Sequence, residues 1–409
     1  MSSDSIRNIV LVGGGIIGCS TAYYLTRHPS FVSSRVAITL IEASAHGAAQ
    51  GASGKAGGLV AKWAYPKELV NVSFNEHVKL ANEHGGTDRW GWRFVSTGSW
   101  EGRGELLPDE LSKPPSGLPR EKSLEKTLGL PEGRKTSSNR DLKGLPDDLL
   151  WVKENLTQSY SPMAPEGATA QVHPYLFTTS MLDLAKEKGV QFISGTVTSI
   201  IQSGGKVTGV KYCETSQGTS KTLAATDVIV CGGAWSPTLI PGLPVESTRA
   251  HSVVIRTAPA ATIAPYVLFT EITGTGNGVV SPEIYARPDG TVYACGPGDD
   301  SPLPANIDDV PVDLTACENL LKNVSAISDE LRAGAVEVRQ ACFLPVSSIG
   351  GGPIIGEVEN IAKGLFVATG HTCWGISNAP GTAKAMAELV MEGKIKCANL
   401  KKLHPSKFL

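Results

Sequence analysis

Three glycines near the N-terminus have the spacing that binds the phosphates of a dinucleotide. Gly13, Gly15 and Gly18 follow a short apolar run that ends at Val12, and a helical pattern of apolar residues begins at Ile16. Glycines at this spacing permit a tight turn, a close approach of the backbone to a pyrophosphate and close packing of helix on strand, while the helix N-terminus attracts the anion. The motif therefore predicts a dinucleotide site.

An acidic residue lies where such a site needs one. Glu42 follows Gly18 by 24 positions and closes a second apolar run, Val36 to Ile41. Its carboxylate can accept hydrogen bonds from both hydroxyls of a ribose, whereas it would repel a 2′-phosphate. The pattern therefore disfavours NADP.

Three further segments rich in small residues could line a flat ligand. They are Gly51 to Leu59, Gly232 to Ser236 and Ala368 to Thr382. Small residues let the backbone approach a ligand, and their amides can bind phosphate or ring carbonyls. A flexible linker is the alternative interpretation of the first segment. The third is predicted to lead into a helix near Ile376, whose positive end could stabilise negative charge on a bound ring.

Short buried strands must position these segments. The runs at 8–15 and 36–41 flank a helical pattern at 16–27, and this strand–helix–strand unit implies a parallel sheet. Strands of the same kind end in glycine at 227–233 and 364–370. The parallel sheet is therefore expected to be assembled from distant parts of the chain.

Other segments follow a different pattern. Alternating strands at 197–212 and 279–295 surround turn sequences and predict antiparallel hairpins. Residues 101–150 contain six prolines and no aromatic residue, valine or isoleucine. Because such a stretch can bury little apolar surface, it is predicted to be a surface insertion, either a lid or a segment without a role.

Composition excludes several classes of protein. The 37 basic and 39 acidic residues give a net charge of −2, without the basic excess that nucleic-acid binding requires. No apolar run is long enough for a membrane span, and the N-terminus leaves no room for a signal peptide. The eight cysteines form no C-x-x-C pair, so no metal site is expected and the setting is predicted to be reducing and cytoplasmic. The sequence leaves the oligomeric state open.

In this order, the four small-residue segments resemble the FAD-dependent D-amino-acid-oxidase-like superfamily, which includes glycine oxidase and sarcosine oxidase. The chain looks most similar to a fungal branch with no assigned substrate. The resemblance implies the fold class α/β plus α+β: a discontinuous, doubly wound, Rossmann-like FAD-binding domain and an antiparallel-sheet substrate domain. The implied FAD-binding domain comprises 1–80, 160–245 and 340–409, and the substrate domain comprises 81–159 and 246–339, with the surface insertion at 101–150.

The resemblance also implies which residues hold FAD. They are Gly13, Gly15, Ile16, Ile17, Gly18, Glu42, Ala43, Ser53, Lys55, Ala56, Gly57, Gly58, Leu59, Val197, Gly232, Trp235, Cys342, Gly370, His371, Trp374, Gly375 and Ile376. Cys342 falls where sarcosine-oxidase-like members carry a cysteine bonded to the flavin, so a covalent link through its sulfur is one possibility. A buried small side chain is the other.

The chain departs from the family pattern at the substrate. Leu344 lies where glycine-oxidase-like members carry the arginine that grips the substrate carboxylate, so the usual bidentate clamp is absent. Arg287 is a candidate replacement, Tyr285 and Trp374 could form walls of the substrate pocket, and His371 is the best polar candidate beside the flavin. The catalytic candidates are thus His371 and Trp374, and the substrate-binding candidates are Arg287, Tyr285 and Leu344.

The predicted function is oxidation of the C–N bond of a small amine or amino-acid derivative, by hydride transfer to flavin N5. The imine product would hydrolyse to an oxo compound, with peroxide formed if oxygen is the acceptor. The strand Thr291 to Cys295 lacks the oxygen-activating lysine of sarcosine-oxidase-like members, which leaves another electron acceptor open. Two alternatives remain: an FAD-linked dehydrogenase of a hydroxy acid or similar alcohol, and a flavin-bearing protein whose main role is interaction.

Overall fold

The computed structural model describes residues 6–105, 124, 144–216, 218–259, 261, 263–275 and 278–409. The strands are β1 (Arg7–Val12), β2 (Val36–Glu42), β3 (Leu59–Ala61), β4 (Arg93–Phe94), β5 (Ser96–Arg103), β6 (Thr157–Pro162), β7 (Thr169–Gln171), β8 (Gln191–Ser203), β9 (Lys206–Glu214), β10 (Ser220–Ala224), β11 (Asp227–Val230), β12 (Val245–Arg256), β13 (Tyr266–Thr273), β14 (Glu283–Ala286), β15 (Thr291–Asp299), β16 (Ala335–Ser347), β17 (Ile354–Glu357) and β18 (Leu365–Thr369). The α-helices are α1 (Ile16–Thr26), α2 (Ala52–Lys55), α3 (Lys67–His84), α4 (Gly86–Trp90), α5 (Pro174–Lys186), α6 (Leu314–Ser325), α7 (Asp329–Arg332) and α8 (Gly375–Glu392).

An eight-stranded sheet carries the predicted strand–helix–strand unit. Its order is β10-β9-β8-β2-β1-β11-β18-β17, and the five strands from β8 to β18 run parallel. Ile9 and Leu11 pack into one apolar cluster with α1, whereas Val10 and Val12 pack into a second cluster with β9. Side chains alternate between the two faces of a strand, so β1 is apolar throughout because both of its faces are covered.

The connections leave a crevice at the end of β1. The chain passes from β1 through α1 to β2 on one side, and β11 pairs with β1 on the other side. In open α/β sheets, ligands bind outside the carboxyl ends of the strands at such a reversal of strand order. The glycine turn that follows Val12 lies at this point.

A seven-stranded sheet in the order β16-β12-β15-β14-β13-β5-β6 forms a second layer. Its pairs are antiparallel except that β13 runs parallel to β5. A smaller antiparallel sheet contains β3, β7 and β4. The two predicted hairpins are confirmed as β8–β9 and β14–β15.

The division into domains stays a prediction, but the strands show where its boundaries fall. The boundaries at 160 and 340 lie inside β6 and β16. The predicted insertion begins within β5, and Leu149 near its other end is buried in the apolar core of the seven-stranded sheet. Apart from Leu124, residues 106–143 of the insertion lie outside the described residues.

Candidate functional site

The turn after β1 can be built only with glycine. Gly13 has φ of +110°, and a Cβ there would lie 2.5 Å from the carbonyl oxygen of the residue that follows β11. A Cβ at Gly18 would overlap the carbonyl oxygen of Gly13, so α1 packs against the end of β1 only because this position is bare. Ser53 at α2 accepts a hydrogen bond from the N–H of Ile16 at 2.9 Å, and a Cβ at Gly15 would lie 3.0 Å from its hydroxyl oxygen.

Glu42 is buried at the end of β2, beside this turn. Its carboxylate accepts hydrogen bonds from the N–H of Gly14 and, at 2.8 Å, from the N–H of Ser44. Burial raises the pKa of Glu42, and these two amides act in the opposite direction by stabilising its negative charge. A carboxylate held in this place fits the ribose of a dinucleotide.

A cavity of about 500 Å³ lies against the glycine turn and Glu42. Its volume falls within the range of small-molecule sites. Among the residues that line it are fourteen of the predicted cofactor residues: Gly13, Gly15, Ile16, Ile17, Glu42, Ala43, Ser53, Ala56, Val197, Gly232, Trp235, His371, Gly375 and Ile376. The structure therefore brings together segments that are more than 300 positions apart in the chain.

Sequence reasoning missed the loop at 301–309, which contributes to the wall of this larger cavity. Trp235 donates its indole N–H to a carbonyl of the loop at 2.8 Å, and Ile307 lines the cavity. Asp308 accepts a hydrogen bond from the hydroxyl of Ser44, two residues after Glu42. No motif marks this loop, because its position depends on how the two large sheets pack.

A second cavity, of about 60 Å³, adjoins the first. Ala56, Leu344 and Ile376 are among the residues that line both. Its other lining residues include six more predicted cofactor residues, Lys55, Gly57, Gly58, Leu59, Cys342 and Trp374, and the aromatic side chains of Phe269, Tyr285 and Tyr293. Gly18 and Gly370, the remaining predicted cofactor residues, line neither cavity.

The smaller cavity contains a buried carboxyl group that the sequence analysis did not identify. Glu283 on β14 is 5% exposed, and its Oε2 accepts a hydrogen bond from the hydroxyl of Tyr285 at 2.6 Å. Its Oε1 has no hydrogen-bond partner among the described residues. Burial raises the pKa of Glu283. Glu283 could have been found, because residues two apart on a strand share a face, and Tyr285 was already a candidate.

His371 and Trp374 follow β18 and are both buried. The Nε2 of His371 lies 3.0 Å from the hydroxyl of Thr382, and burial lowers the pKa of His371 to about 3. The imidazole is therefore neutral at physiological pH. Trp374 contacts the edge of Trp63 with ring centres 5.5 Å apart, and its indole N–H has no partner among the described residues.

Arg287 does not take up the position of a substrate clamp. Its guanidinium donates a hydrogen bond to the carbonyl oxygen of Ala56 at 3.1 Å and lies over the ring of Tyr293. It lines neither of the two cavities. Burial lowers its pKa. Arg287 supports the Ala56 loop and the Tyr293 wall, and its contact with substrate stays a prediction.

Leu344 and Cys342 lie on β16, at the junction of the two cavities. Leu344 is buried and packs against Leu124, Ala250 and Cys373, so it presents an apolar side chain at this junction, and its role in substrate binding stays a prediction. Cys342 lines the smaller cavity and not the larger one, and burial raises its pKa to about 11. A thiol with a raised pKa is a poor nucleophile at neutral pH.

The larger cavity fits the FAD that the resemblance implies. The glycine turn provides backbone amides for a pyrophosphate without side chains in the way, and Glu42 provides a hydrogen-bond acceptor for a ribose. Gly375 and Ile376 begin α8 beside the cavity, where the positive end of the helix dipole lies. Among the described residues, no group of three or more His, Cys, Asp and Glu side chains could hold a metal ion. None of the helices in the described parts of the chain could cross a membrane.

Comparisons with known proteins agree with this geometry. Residues 8–389 match the sequence model of the family described as FAD dependent oxidoreductase. The chain is 33% identical to the protein TDA3 of Saccharomyces cerevisiae, over 99% of this chain and 95% of that protein. It is 32% identical to the protein C1F5.03c of Schizosaccharomyces pombe, over 98% of both chains.

Solved structures share the fold. Glycine oxidase from Bacillus cereus superimposes with a TM-score of 0.68 and 20% identity, covering 95% of this chain and 96% of its own. Iminodiacetate oxidase from Chelativorans sp. BNC1 superimposes with a TM-score of 0.69 and 19% identity, covering 97% and 98%. The predicted superfamily and fold class are confirmed: this chain belongs to the FAD-dependent oxidoreductase family, and it shares its fold with glycine oxidase.

Proposed function

We propose that this protein oxidises the C–N bond of a small amine or amino-acid derivative, giving an imine that water hydrolyses to an oxo product. The observation that carries the proposal is the small aromatic cavity that contains Glu283 and adjoins the FAD-sized cavity. When bound, FAD supplies the acceptor for the hydride that leaves the carbon next to nitrogen. The names of two structural relatives, glycine oxidase and iminodiacetate oxidase, refer to substrates with such a C–N bond.

The residues of the smaller cavity would hold and orient the substrate. Phe269, Tyr285, Tyr293 and Trp374 form apolar walls that exclude water from a site of about 60 Å³. Holding a substrate in a reactive orientation can supply a large part of an enzyme's rate enhancement. His371, neutral and tied to Thr382, would add a hydrogen-bonding group beside the larger cavity without adding charge.

The acceptor that reoxidises the reduced FAD is proposed to be a molecule other than oxygen. Between Thr291 and Cys295, β15 carries Val292, Tyr293 and Ala294, and all five residues are buried. None of these five side chains is a cation that could stabilise a reduced oxygen species, so slow reoxidation by oxygen is expected. If oxygen does serve, peroxide is the second product.

FAD is expected to be held without a covalent bond. Attachment through Cys342 would need a thiolate that attacks the flavin ring. The raised pKa of Cys342 and its position on the smaller cavity offer no support for that reaction. No disulfide bond joins any of the eight cysteines, which supports the prediction of a reducing, cytoplasmic setting.

Anaerobic mixing of the FAD-loaded protein with a substrate panel tests the proposed function. Small amines and amino acids form one half of the panel, and hydroxy acids of matched carbon skeleton form the other. The proposal predicts that the flavin absorbance bleaches with members of the first half and not with the second. Bleaching by hydroxy acids alone would establish the dehydrogenase alternative. No bleaching with either half would favour the interaction role.

A further inference from the structure

The polar groups of the smaller cavity define the charge of the ligand it can accept. Two polar atoms of its lining residues, Glu283 Oε1 and Trp374 Nε1, are buried and lack hydrogen-bond partners among the described residues. A buried polar atom without a partner costs free energy that a ligand can recover by bonding to it. Glu283 Oε1 is a carboxyl oxygen that can accept a hydrogen bond, and Trp374 Nε1 is an uncharged N–H group that can donate one.

The cavity is poorly suited to a carboxylate. No arginine is among its lining residues in the described parts of the chain, and Leu344 contributes an apolar side chain to the lining. The cation that does line it, Lys55, donates to the carbonyl oxygen of Ala341 at 3.1 Å. A substrate carboxylate would also lie close to the carboxylate of Glu283, and two negative charges repel strongly in a site without water.

Taking these observations together with the proposed function, we propose that the substrate is a small primary or secondary amine without a carboxylate, and that Glu283 receives its ammonium group. On binding, an N–H bond of the ammonium breaks and an O–H bond forms on the Glu283 carboxylate. The substrate becomes the neutral amine and the glutamate becomes a neutral acid, so the total charge of the complex is unchanged. Glu283 is then a catalytic residue.

One feature of the site positions Glu283 for this proton transfer, and two favour the transfer itself. The donated hydrogen bond from Tyr285 fixes Oε2 and leaves Oε1 for the ligand. The faces of the aromatic side chains attract the ammonium cation as it binds, and their apolar surface accommodates the neutral amine after the proton transfer. Desolvation makes Glu283 a stronger base than an exposed glutamate, because it penalises the charged form.

The cavity also limits substrate size. A water molecule needs roughly 10–15 Å³ of such volume, so about 60 Å³ holds only about four to six water-sized groups. Methylamine, ethylamine and dimethylamine fall within this limit. Adding a carboxylate to each gives glycine, alanine and sarcosine, so each pair differs in that one charged group.

Binding can be measured without turnover. tert-Butylamine has no hydrogen on the carbon next to nitrogen, and 2-aminoisobutyrate replaces one of its methyl groups with a carboxylate. Titration of the oxidised FAD-loaded protein, followed by the change in flavin absorbance, should show tert-butylamine binding at least about tenfold more tightly. Tighter binding of 2-aminoisobutyrate would overturn the proposal.

The Glu283→Gln variant tests the proton transfer. It keeps an oxygen for Tyr285 and removes the base, so we expect the second-order rate of flavin reduction by ethylamine to fall by about 100-fold or more. Glu283→Asp should restore part of that rate. Glu246→Gln, which changes an exposed glutamate on β12, is the matched control. Its flavin should be reduced by ethylamine as fast as that of the wild type. FAD content and melting temperature show whether each variant is folded.

The outcomes separate the substrate class from the reaction. If glycine, alanine or sarcosine reduces the wild-type flavin faster than its amine partner, the carboxylate-free substrate is refuted while C–N oxidation stands. If only hydroxy acids reduce the flavin, both proposals fall. A Glu283→Gln variant that is folded and as fast as the wild type would refute the role of Glu283. The paired substrates test the proposal in the wild-type protein even if the variant does not fold.

Discussion

Replacing Glu42 with glutamine should weaken FAD binding while keeping the size of the side chain. The wild-type carboxylate accepts hydrogen bonds from the N–H groups of Gly14 and Ser44 and lines the larger cavity. A glutamine has one acceptor oxygen and one donor group, so one backbone N–H would face an NH₂. The change therefore removes a negative charge and leaves a donor facing a donor.

The magnitude follows from the hydrogen bonds to a charged group. Such bonds contribute about 1.5–3 kcal/mol each. Loss of one bond to the ribose of FAD should raise the dissociation constant by roughly 10- to 100-fold, since about 1.4 kcal/mol corresponds to a factor of ten. The unpaired donor adds a loss of about 1–3 kcal/mol in the free energy of unfolding.

Calorimetric titration of FAD into the FAD-free protein measures this effect, and its pH dependence sharpens the test. Because burial raises the pKa of Glu42, wild-type affinity should fall as the pH drops through that raised pKa, and the variant should lack this dependence. Glu359→Gln, at an exposed position after β17, is the control. If Glu42→Gln binds FAD with wild-type affinity and shows the same fall in affinity at low pH, the assigned role of Glu42 is refuted.

Three further predictions concern the turn, the cysteine and acid stability. Gly18→Ala should lower the melting temperature and abolish FAD binding, because its methyl group would overlap a carbonyl oxygen. Gly296→Ala is the control and should be tolerated, because its Cβ would lie 3.7 Å from the nearest atom, on Leu320. Equal melting curves for the two variants would contradict this prediction. Acid precipitation of the wild-type holoprotein should leave FAD in the supernatant, and FAD retained in the pellet but released from Cys342→Ser would show a covalent link. His77 is buried, and its pKa is lowered from 6.5 to about 4, so the unfolded chain takes up its proton first and stability is lost as the pH falls from about 6.5 to 4, by about 3 kcal/mol. Denaturant titrations across that range should show a smaller loss for His77→Gln, and identical pH dependence would refute the assignment.

The nucleotide half of the fold could be predicted because its signals are local. The glycine spacing, the apolar runs of β1 and β2 and the acid at position 42 are set within one continuous stretch of chain. Physical limits on tight turns and buried parallel strands leave few other structures for such a stretch. The hairpins β8–β9 and β14–β15 were predictable for the same reason.

Contacts that join distant segments of the chain were harder to predict. Nothing near residues 301–309 indicates that this loop reaches Ser44 and Trp235. The charge of Arg287 makes it a candidate, but no sequence signal indicates that its guanidinium bonds to the carbonyl oxygen of Ala56 and lies over the ring of Tyr293. Glu283 was recognised only in the structure, although its position two residues before Tyr285 on β14 places both side chains on one face of the strand.

Product analysis in a single anaerobic turnover shows whether the protein oxidises a C–N bond. The FAD-loaded protein is mixed with excess ethylamine, the flavin is allowed to bleach, and ammonia and acetaldehyde are measured in the filtrate. We expect one ammonia and one acetaldehyde for each flavin reduced, because the oxidised C–N bond is hydrolysed. Reduction of the flavin by a hydroxy acid without ammonia release, and none by any amine, would contradict it.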